Sequence, residues 1–214
     1  MNYSIKNILP HPLEEQNSFE KSEIWNTTYE IVQGKNYLVK APSGKGKSTF
    51  LHILYGLRKD YKGEVSFSNK RLETYTREEW SDLRKDNLSI VFQDLRLFPE
   101  LNGLENIQIN TALTGHKNQI EIESMAEKLG VQHLLHHPCQ NLSYGQKQRI
   151  AIIRALCQPF DFLFLDEPFS HLDSENIERA MELIKSCCRE QQAGFVLVSL
   201  GEDFDYDYDE RLIL

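Results

Sequence analysis

A run of glycine, lysine and hydroxyl residues in the first quarter of the chain has the composition of a phosphate-binding loop. It reads Ala41-Pro-Ser-Gly-Lys-Gly-Lys-Ser-Thr49 and matches the pattern GxxxxGK[ST], except that Ala41 stands at the first glycine. Backbone N–H groups in such a loop converge on a phosphate, and the helix that follows directs the positive end of its dipole there. The residues expected to contact a nucleotide are Ser43, Gly44, Lys45, Gly46, Lys47, Ser48 and Thr49.

Two side chains of this loop have individual roles in the chemistry that the pattern predicts. Lys47 is expected to bridge the β- and γ-phosphates, and the hydroxyl of Ser48 is expected to ligate Mg²⁺. Glycine-rich turns of this kind also occur in ordinary surface loops. The context favours a phosphate site, because an apolar strand, Asn36–Ala41, precedes the turn and an amphipathic helix from about Lys47 to Leu57 follows it.

Two adjacent carboxylates stand at the end of a strongly apolar strand pattern. Phe162–Leu165 reads as a buried strand, and Asp166 and Glu167 follow it directly. Carboxylates at the C-terminal end of a strand in an open α/β sheet face the ligand crevice. We expect Asp166 to belong to the Mg²⁺ shell, directly or through water. Glu167 is expected to orient or deprotonate the water that attacks the γ-phosphate. Taken alone, the pair could simply start a surface turn, and the upstream loop favours the catalytic interpretation.

The order of patterns along the chain indicates an α/β fold. Strand, glycine-rich turn and helix are followed by further strands and helices, which is typical of a mainly parallel sheet. Strands are also expected at Val65–Phe67, Ser89–Phe92 and Phe195–Leu200, and the clearest amphipathic helix runs from Asp173 to Cys188. With 214 residues, the chain is expected to form a single domain, since two ordinary domains need more.

The middle and the end of the chain differ from this alternation. Approximately residues 94–158 are expected to form a helical subdomain inserted into the sheet-containing core, with Glu121–Leu129 as one helical stretch. Near the C-terminus, Glu202–Glu210 alternates acidic and aromatic residues. We interpret it as a solvated surface segment, with an interaction site as the alternative.

Composition and charge exclude several classes of protein. The formal net charge is −8 and the isoelectric point about 5.4, which argues against a nucleic-acid-binding protein. No run approaches the ~18–20 apolar residues that span a bilayer, and Met1–Pro12 lacks the pattern of a secretory signal. The cysteines lack metal-ligand spacing and read as structural thiols of a reducing compartment, so a cytoplasmic location is expected. They are Cys139, Cys157, Cys187 and Cys188.

One segment upstream of the acidic strand narrows the class. Leu142-Ser-Tyr-Gly-Gln-Lys-Gln-Arg149 has capping-box spacing between Ser143 and Gln146, which by itself predicts a well-capped helix. The segment also resembles the signature sequence of ABC ATPases, usually Leu-Ser-Gly-Gly-Gln. The resemblance implies a P-loop NTPase core of the ABC ATPase type, with ATP and Mg²⁺ as ligands. In that family the N-terminus of this helix points at the γ-phosphate held by the partner subunit, which implies nucleotide contacts from Ser143, Tyr144, Gly145 and Gln146.

Other segments are similar to the same family in order and spacing, over nearly the whole chain. Val91-Phe-Gln-Asp94 resembles the Q-loop, which implies that Gln93 reaches the Mg²⁺ and the attacking water. Ser170-His-Leu-Asp173 resembles the D-loop at the dimer interface, which makes Asp173 a candidate contact of the nucleotide. Phe19 stands where the adenine-stacking aromatic would fall, although a lone aromatic is almost as often part of a core.

The chain departs from the family pattern at two further positions. Tyr144 replaces the first signature glycine and adds bulk near the partner's nucleotide. Leu200 ends a strand where the family places a switch histidine, and leucine cannot hydrogen-bond the γ-phosphate, so hydrolysis is expected to be slow or differently arranged. The Phe-Gln-Asp, Leu-Phe-Pro and Leu-Glu-Asn runs look most like ATPases of the lipoprotein-release, macrolide-export and cell-division group.

Three functions stay open at the level of sequence. The first is an ATP-hydrolysing transporter subunit that dimerises on MgATP, with itself or a similar ATPase, and drives an integral membrane partner from the cytoplasmic face. The second is a slow-hydrolysing, nucleotide-dependent clamp that regulates a membrane complex. Leu200 favours the clamp, and Glu167 favours the motor. The third, a P-loop kinase or GTPase, leaves Leu142–Arg149 unexplained and lacks a guanine-reading Asn-Lys-x-Asp segment. No nucleic-acid partner is expected.

Overall fold

The computed structural model describes residues 1–15, 22–204 and 206–214. Within these ranges a parallel sheet forms the centre of the molecule, so the predicted α/β fold and parallel sheet are confirmed. Its strands in spatial order are β6 (Leu88–Val91), β7 (Phe162–Asp166), β8 (Gly194–Ser199), β3 (Asn36–Lys40) and β9 (Glu210–Ile213).

A second, antiparallel sheet was missed by the sequence analysis. Its strands in spatial order are β2 (Thr28–Val32), β1 (Asn2–Pro10), β4 (Tyr61–Phe67) and β5 (Lys70–Arg71). The pairing of β1 with β4 shifts register between Lys6 and Leu9, and Asn7 has a φ of 52°. Such a bulge breaks the two-residue alternation by which a half-buried strand is recognised in a sequence.

The described residues also form seven α-helices. They are α1 (His11–Glu15), α2 (Lys47–Leu54), α3 (Arg77–Asp86), α4 (Gly103–Thr114), α5 (Gln119–Lys128), α6 (Tyr144–Leu156) and α7 (Ser174–Gln191). Helix α2 ends earlier than expected, because the chain turns at Gly56 with a φ of 72° and Leu57 is exposed. Helices α4, α5 and α6 lie in the middle segment, and the proposed boundary of a subdomain at residues 94–158 stays a prediction. None of the described helices combines the length and apolar character needed to cross a bilayer.

Both faces of the parallel sheet are covered. In β7, Phe162 and Phe164 face a core shared with α2 and the antiparallel sheet, whereas Leu163 and Leu165 face a core shared with α4, α5, α6 and α7. A parallel sheet buried on both faces leaves its strand ends as the open edge where ligands bind.

The C-terminal segment corrects the sequence interpretation. Tyr206 and Tyr208 pack against Phe195 with ring centroids 5.4 and 6.0 Å apart, and the Tyr208 side chain is buried. Phe204 packs on Phe169 at 5.0 Å. The described acidic residues that alternate with these aromatic residues, Asp203, Asp207 and Asp209, are exposed. The alternation therefore marks one inward apolar face and one outward charged face, not a segment solvated on all sides.

The cysteines are all buried free thiols. Burial raises the pKa of Cys157 and of Cys188 to about 12. Because the thiolate is the reactive form, these groups are inert at neutral pH.

Candidate active site

The loop between β3 and α2 lines a cavity of about 270 Å³. Gly44 and Gly46 have φ values of 79° and 91°, in the left-handed region that favours glycine. A Cβ on Gly46 would lie 2.8 Å from Cδ1 of Leu13 and 3.1 Å from Cζ2 of Trp25. The loop therefore depends on glycine at this position, which lets its backbone line the cavity.

Ala41 is compatible with this loop geometry. It is not among the described residues with a positive φ, and its N–H donates to the carbonyl of Ser199 at 3.2 Å. The first glycine of the pattern is thus replaced without forcing a side chain into the left-handed region. Ala41 also helps to join the loop to the end of the neighbouring strand.

Lys47 carries a buried cation at the wall of the cavity, with 5% of its side chain exposed. Its Nζ donates to the carbonyls of Ala41 at 3.0 Å and Pro42 at 3.2 Å, and forms an ion pair with Oε1 of Glu167 at 3.2 Å. A buried ammonium needs such partners. An anion entering the cavity would compete with the Glu167 carboxylate for this cation.

Asp166 is an unsatisfied carboxylate beside the same loop. It is 1% exposed, and its Oδ1 has no hydrogen-bond partner among the described residues. Desolvation raises the pKa of Asp166 to about 6, and the charge of Glu167 adds to this, whereas the hydrogen bond from Ser48 acts in the opposite direction. An orphaned carboxylate oxygen next to a hydroxyl fits Mg²⁺, which takes few protein ligands and completes its shell with water and phosphate oxygens. Asp166 and Ser48 would hold the ion, and the ion would neutralise phosphate charge.

Asp166→Asn is expected to stabilise the nucleotide-free protein above pH 6. The folded-state pKa of about 6 exceeds the ordinary value of 3.8, so the desolvation penalty is absent below pH ~4, grows as the pH rises through 6, and is then complete. We expect the free energy of unfolding to rise by about 1–3 kcal/mol at pH 7.5 and by much less at pH 4.5. Urea titrations at the two pH values measure it. An equal gain at both would show that desolvated charge is not the cause.

Glu167 lies where two cavities meet. It lines the cavity of the phosphate loop and a second one of about 410 Å³, which Asp173 and Leu200 also line. Its φ is 48°, a conformation that costs a non-glycine residue about 1–3 kcal/mol and persists only where the surrounding structure enforces it. Its N–H donates to the carbonyl of Val198 at 3.1 Å. The strand end thus fixes the backbone from which this carboxylate projects.

Gln93 is placed between the cavity of the phosphate loop and a third cavity of about 420 Å³, which Asp166 and Tyr144 also line. The Tyr144 hydroxyl donates to the carbonyl of Gln93 at 2.7 Å, and its ring centroid is 4.2 Å from that of His171. The aromatic ring that replaces a signature glycine therefore connects three segments of one chain.

The predicted capping box at the start of α6 is confirmed. The N–H of Gln146 donates to Oγ of Ser143 at 3.3 Å, and the N–H of Ser143 donates to Oε1 of Gln146 at 2.9 Å. Ser143, Gly145 and Gln146 line none of the three cavities, and Ser143 is exposed. The structure does not bring them to the phosphate loop of their own chain.

Three other candidates have different surroundings. Asp173 caps α7, because its Oδ1 accepts from the N–H of Asn176 at 2.9 Å, and it also lines the second cavity. The carbonyl of Lys45 accepts from Nε1 of Trp25 at 3.2 Å, and Lys45 does not line the loop cavity. Phe19 lies outside the described residues.

Leu200 stands directly after β8 with 57% of its surface exposed. It lines the second cavity together with Glu167 and Glu202, and no histidine is among the described residues that line it. The Oγ of Ser199 donates to the carbonyl of Glu202 at 2.8 Å and shapes the turn. The apolar side chain therefore faces the region where the family resemblance placed a histidine.

Sequence reasoning missed several residues that line the loop cavity. Pro10, Pro12 and Leu13 reach it from the end of β1 and from α1, and Arg58 reaches it from the segment after α2. No pattern marks them, because only tertiary packing brings them to the loop.

Comparisons with known proteins identify the family. Residues 24–170 match the family model of the ABC transporter, and the chain belongs to this family of ATP-hydrolysing cassettes. It is 34% identical to the lipoprotein-releasing system ATP-binding protein LolD of Saccharophagus degradans, over 79% of this chain and 76% of that one. It is 31% identical to the ABC transporter ATP-binding protein YtrE of Bacillus subtilis, over 81% and 76%.

A solved structure gives the same assignment. The dimeric post-hydrolysis state of the ATP-binding cassette MJ0796, bound to ADP and Pi, has a TM-score of 0.76 and 29% identity, and covers 92% of this chain and 87% of that one. The chain is an ABC-type ATP-binding subunit, and the resemblance to the lipoprotein-release group is borne out.

Proposed function

We propose that the chain binds MgATP in the cavity between β3 and α2 and hydrolyses it as the energising subunit of a membrane transporter. The observation that carries this proposal is the joint placement of a buried cation, Lys47, a strand-end carboxylate paired with it, Glu167, and an orphaned carboxylate, Asp166. Lys47 would bind the negative charge of a polyphosphate, and Glu167 would act on the attacking water. Asp166 would be a ligand of the divalent cation.

The ion pair in the cavity suggests how binding prepares the site for chemistry. Lys47 Nζ forms an ion pair with Oε1 of Glu167 at 3.2 Å. Phosphate oxygens that bind Lys47 would replace Glu167 as its ion-pair partner. The Glu167 carboxylate could then accept a proton from the attacking water. Gln93, which lines the same cavity, is placed to orient that water. Ser43, Gly44, Gly46, Ser48 and Thr49 would hold the phosphates, and Lys45 would contribute to the loop from outside the cavity.

A second copy, or a similar ATPase, would complete the site. The capped N-terminus of α6 is exposed, and its residues Ser143, Gly145 and Gln146 do not line the phosphate-loop cavity of their own chain. A helix N-terminus stabilises negative charge, so Ser143, Tyr144, Gly145 and Gln146 would contact the γ-phosphate held by the partner. Asp173, in the second cavity, would lie at the same interface. The dimeric cassette bound to ADP and Pi supports this arrangement by similarity.

The proposed membrane partner is an integral membrane subunit of a transporter. The relatives named for a lipoprotein-releasing system and for an ABC transporter support this assignment. The chain would then act at the cytoplasmic face of the membrane, held there by its partner. The helices between residues 94 and 158 would form the subdomain that carries the signature segment.

Leu200→His tests both the hydrolysis and its rate. If the missing histidine matters, wild-type protein turns over MgATP slowly and the variant is about tenfold faster, which corresponds to ~1.4 kcal/mol of transition-state stabilisation. Steady-state phosphate release, with the membrane partner present, measures both proteins. Leu113→His on the exposed end of α4 is the matched control and should have no effect.

Each outcome of this assay decides a different part of the proposal. No phosphate release by the wild type under any condition would contradict the ATPase function. A brisk wild-type rate that Leu200→His leaves unchanged would reject the slow clamp and keep the motor, with Glu202 or a partner group in the place of the histidine. A slow wild type and a faster variant would favour the clamp.

A further inference from the structure

Arg58 is a second cation of the phosphate-loop cavity and has no counterpart in the motifs of the sequence. It lines the cavity with Lys47 and Thr49. Its Nη1 donates to Oγ1 of Thr49 at 3.0 Å, its Nε donates to Oδ1 of Asp60 at 2.8 Å, and its Nη2 is bound to the other oxygen of Asp60. Three contacts therefore fix the guanidinium beside the first turn of α2.

The position of Arg58 differs from that of Lys47. Lys47 is bound to the strand-end carboxylate Glu167, whereas Arg58 is bound to Thr49 and Asp60. The carbonyl of Asp60 accepts from the N–H of His11 at 3.2 Å. The two cations have different partners and line one cavity, so a polyphosphate bound in this cavity could contact both.

The Arg58–Asp60 ion pair is a weak candidate for a purely structural element. The two side chains are 33% and 49% exposed, and ion pairs with that exposure add little to stability. The hydrogen bond from Arg58 lowers the pKa of Asp60 to about 2, so both groups are charged at any working pH. The Arg58–Asp60 pair therefore contributes little to the stability of the fold. The pair places a positive and a negative charge next to the phosphate loop.

We propose that Arg58 is a nucleotide-binding residue that attracts the polyphosphate and orients the hydroxyl of Thr49, while Asp60 holds Arg58 and weakens that attraction. This inference depends on MgATP binding in the cavity, as proposed above. The Thr49 hydroxyl accepts from Arg58, so its own proton is available to a phosphate oxygen. A guanidinium presents donors in a geometry that suits phosphate oxygens.

The two partners of the pair should affect binding in opposite directions. Arg58→Gln should weaken MgATP binding about tenfold or more, the range of one hydrogen bond to a charged group. Asp60→Asn should tighten it by about threefold, because a negative charge near the phosphates is removed. The affinity of Arg58→Lys for MgATP should lie between those of wild type and Arg58→Gln. Lysine keeps the positive charge but lacks the paired N–H donors of the guanidinium.

Equilibrium titration with MgATP and with inorganic tripolyphosphate measures these effects. The tripolyphosphate has no base or sugar, so a parallel loss for both ligands places the contact on phosphate. Arg71→Gln is the matched control, because Arg71 is also paired with acidic residues but lies on β5 in the antiparallel sheet. Thermal melting of every variant shows whether it is folded. If Arg58→Gln is unfolded, the affinity of Arg58→Lys tests the inference in its place.

The outcomes separate this inference from the proposed function. Weaker binding in Arg58→Gln together with tighter binding in Asp60→Asn supports the inference about Arg58. Equal weakening by both variants would mean that the pair supports the loop only, and unchanged affinity in Arg58→Gln would mean no contact, so either result overturns it. Lys47→Ala tells the two proposals apart: if that variant loses binding while Arg58→Gln keeps it, only the role of Arg58 is wrong. Wild-type protein that binds neither ligand contradicts both.

Discussion

Lys47→Ala should abolish tight binding of MgATP. The lysine provides a buried ammonium at the wall of the cavity, with 5% of its side chain exposed and three oxygen acceptors within 3.2 Å. Removing one partner of a buried charge pair costs about 2–5 kcal/mol, so affinity should fall by roughly 30-fold to several thousandfold. The variant also leaves the Glu167 carboxylate without its cation, next to the incoming phosphates.

Equilibrium titration with a fluorescent ATP analogue measures this loss. Lys62→Ala is a suitable control, because Lys62 is an exposed lysine of β4 that pairs only with Glu14 among the described residues. Its affinity should equal that of the wild type. Unchanged affinity in Lys47→Ala itself would show that the loop between Ala41 and Thr49 is not the phosphate site.

Glu167→Gln should preserve MgATP binding and slow turnover by about 100-fold or more, the range of a lost general base. The amide keeps the shape of the carboxylate and cannot accept the proton of water. Since Glu167 also competes with the phosphates for Lys47 at 3.2 Å, its loss should leave affinity equal or slightly higher. An effect on the rate without an effect on binding is the signature of an interaction made only in the transition state.

Phosphate release at saturating MgATP, together with a binding titration, separates the two quantities. Glu182→Gln on the exposed face of α7 is the matched substitution and should be neutral. A Glu167→Gln protein that hydrolyses ATP as fast as wild type would remove the carboxylate from the chemistry. Weak binding with normal turnover at saturation would instead assign it to the holding of nucleotide.

The sequence predicted those parts of the site that are contiguous in the chain. The loop that contains Gly44 and Lys47 and the strand end at Asp166 and Glu167 each combine chemical groups with the element that positions them. Short-range geometry then suffices, because a strand end and a helix N-terminus place their groups in known directions. The capping box of α6 was predictable for the same reason.

Residues that reach the site from distant segments were not predictable. Arg58 has no periodic or motif signal, and Leu13 is one apolar residue in a short polar helix. Their place at the cavity depends on how the antiparallel sheet packs on α2, and one sequence does not encode that in any local pattern. Helix α3 was missed for a related reason: only Trp80 of its ten residues is buried, so its apolar periodicity is weak.

The tail illustrates a pattern that was seen and assigned to the wrong environment. Alternating acidic and aromatic residues suggested a solvated segment, but alternation is also what a stretch with one buried face produces. Tyr206 and Tyr208 pack on Phe195 of β8. The aromatic residues of the segment indicated burial more strongly than the acidic residues indicated exposure, because large apolar groups at every second position favour burial.

The most direct test of the proposed mechanism is the oligomeric state of Glu167→Gln with and without MgATP. We place half of each catalytic site on the exposed N-terminus of α6, where Ser143, Gly145 and Gln146 do not line the phosphate-loop cavity of their own chain. A variant that binds MgATP and cannot hydrolyse it should therefore elute from size-exclusion chromatography as a dimer in MgATP and as a monomer without nucleotide. Adding Ser143→Arg, which places bulk and positive charge at the cap of α6, should prevent the dimer while leaving nucleotide binding intact. A monomer that binds MgATP tightly and never dimerises would contradict the composite site.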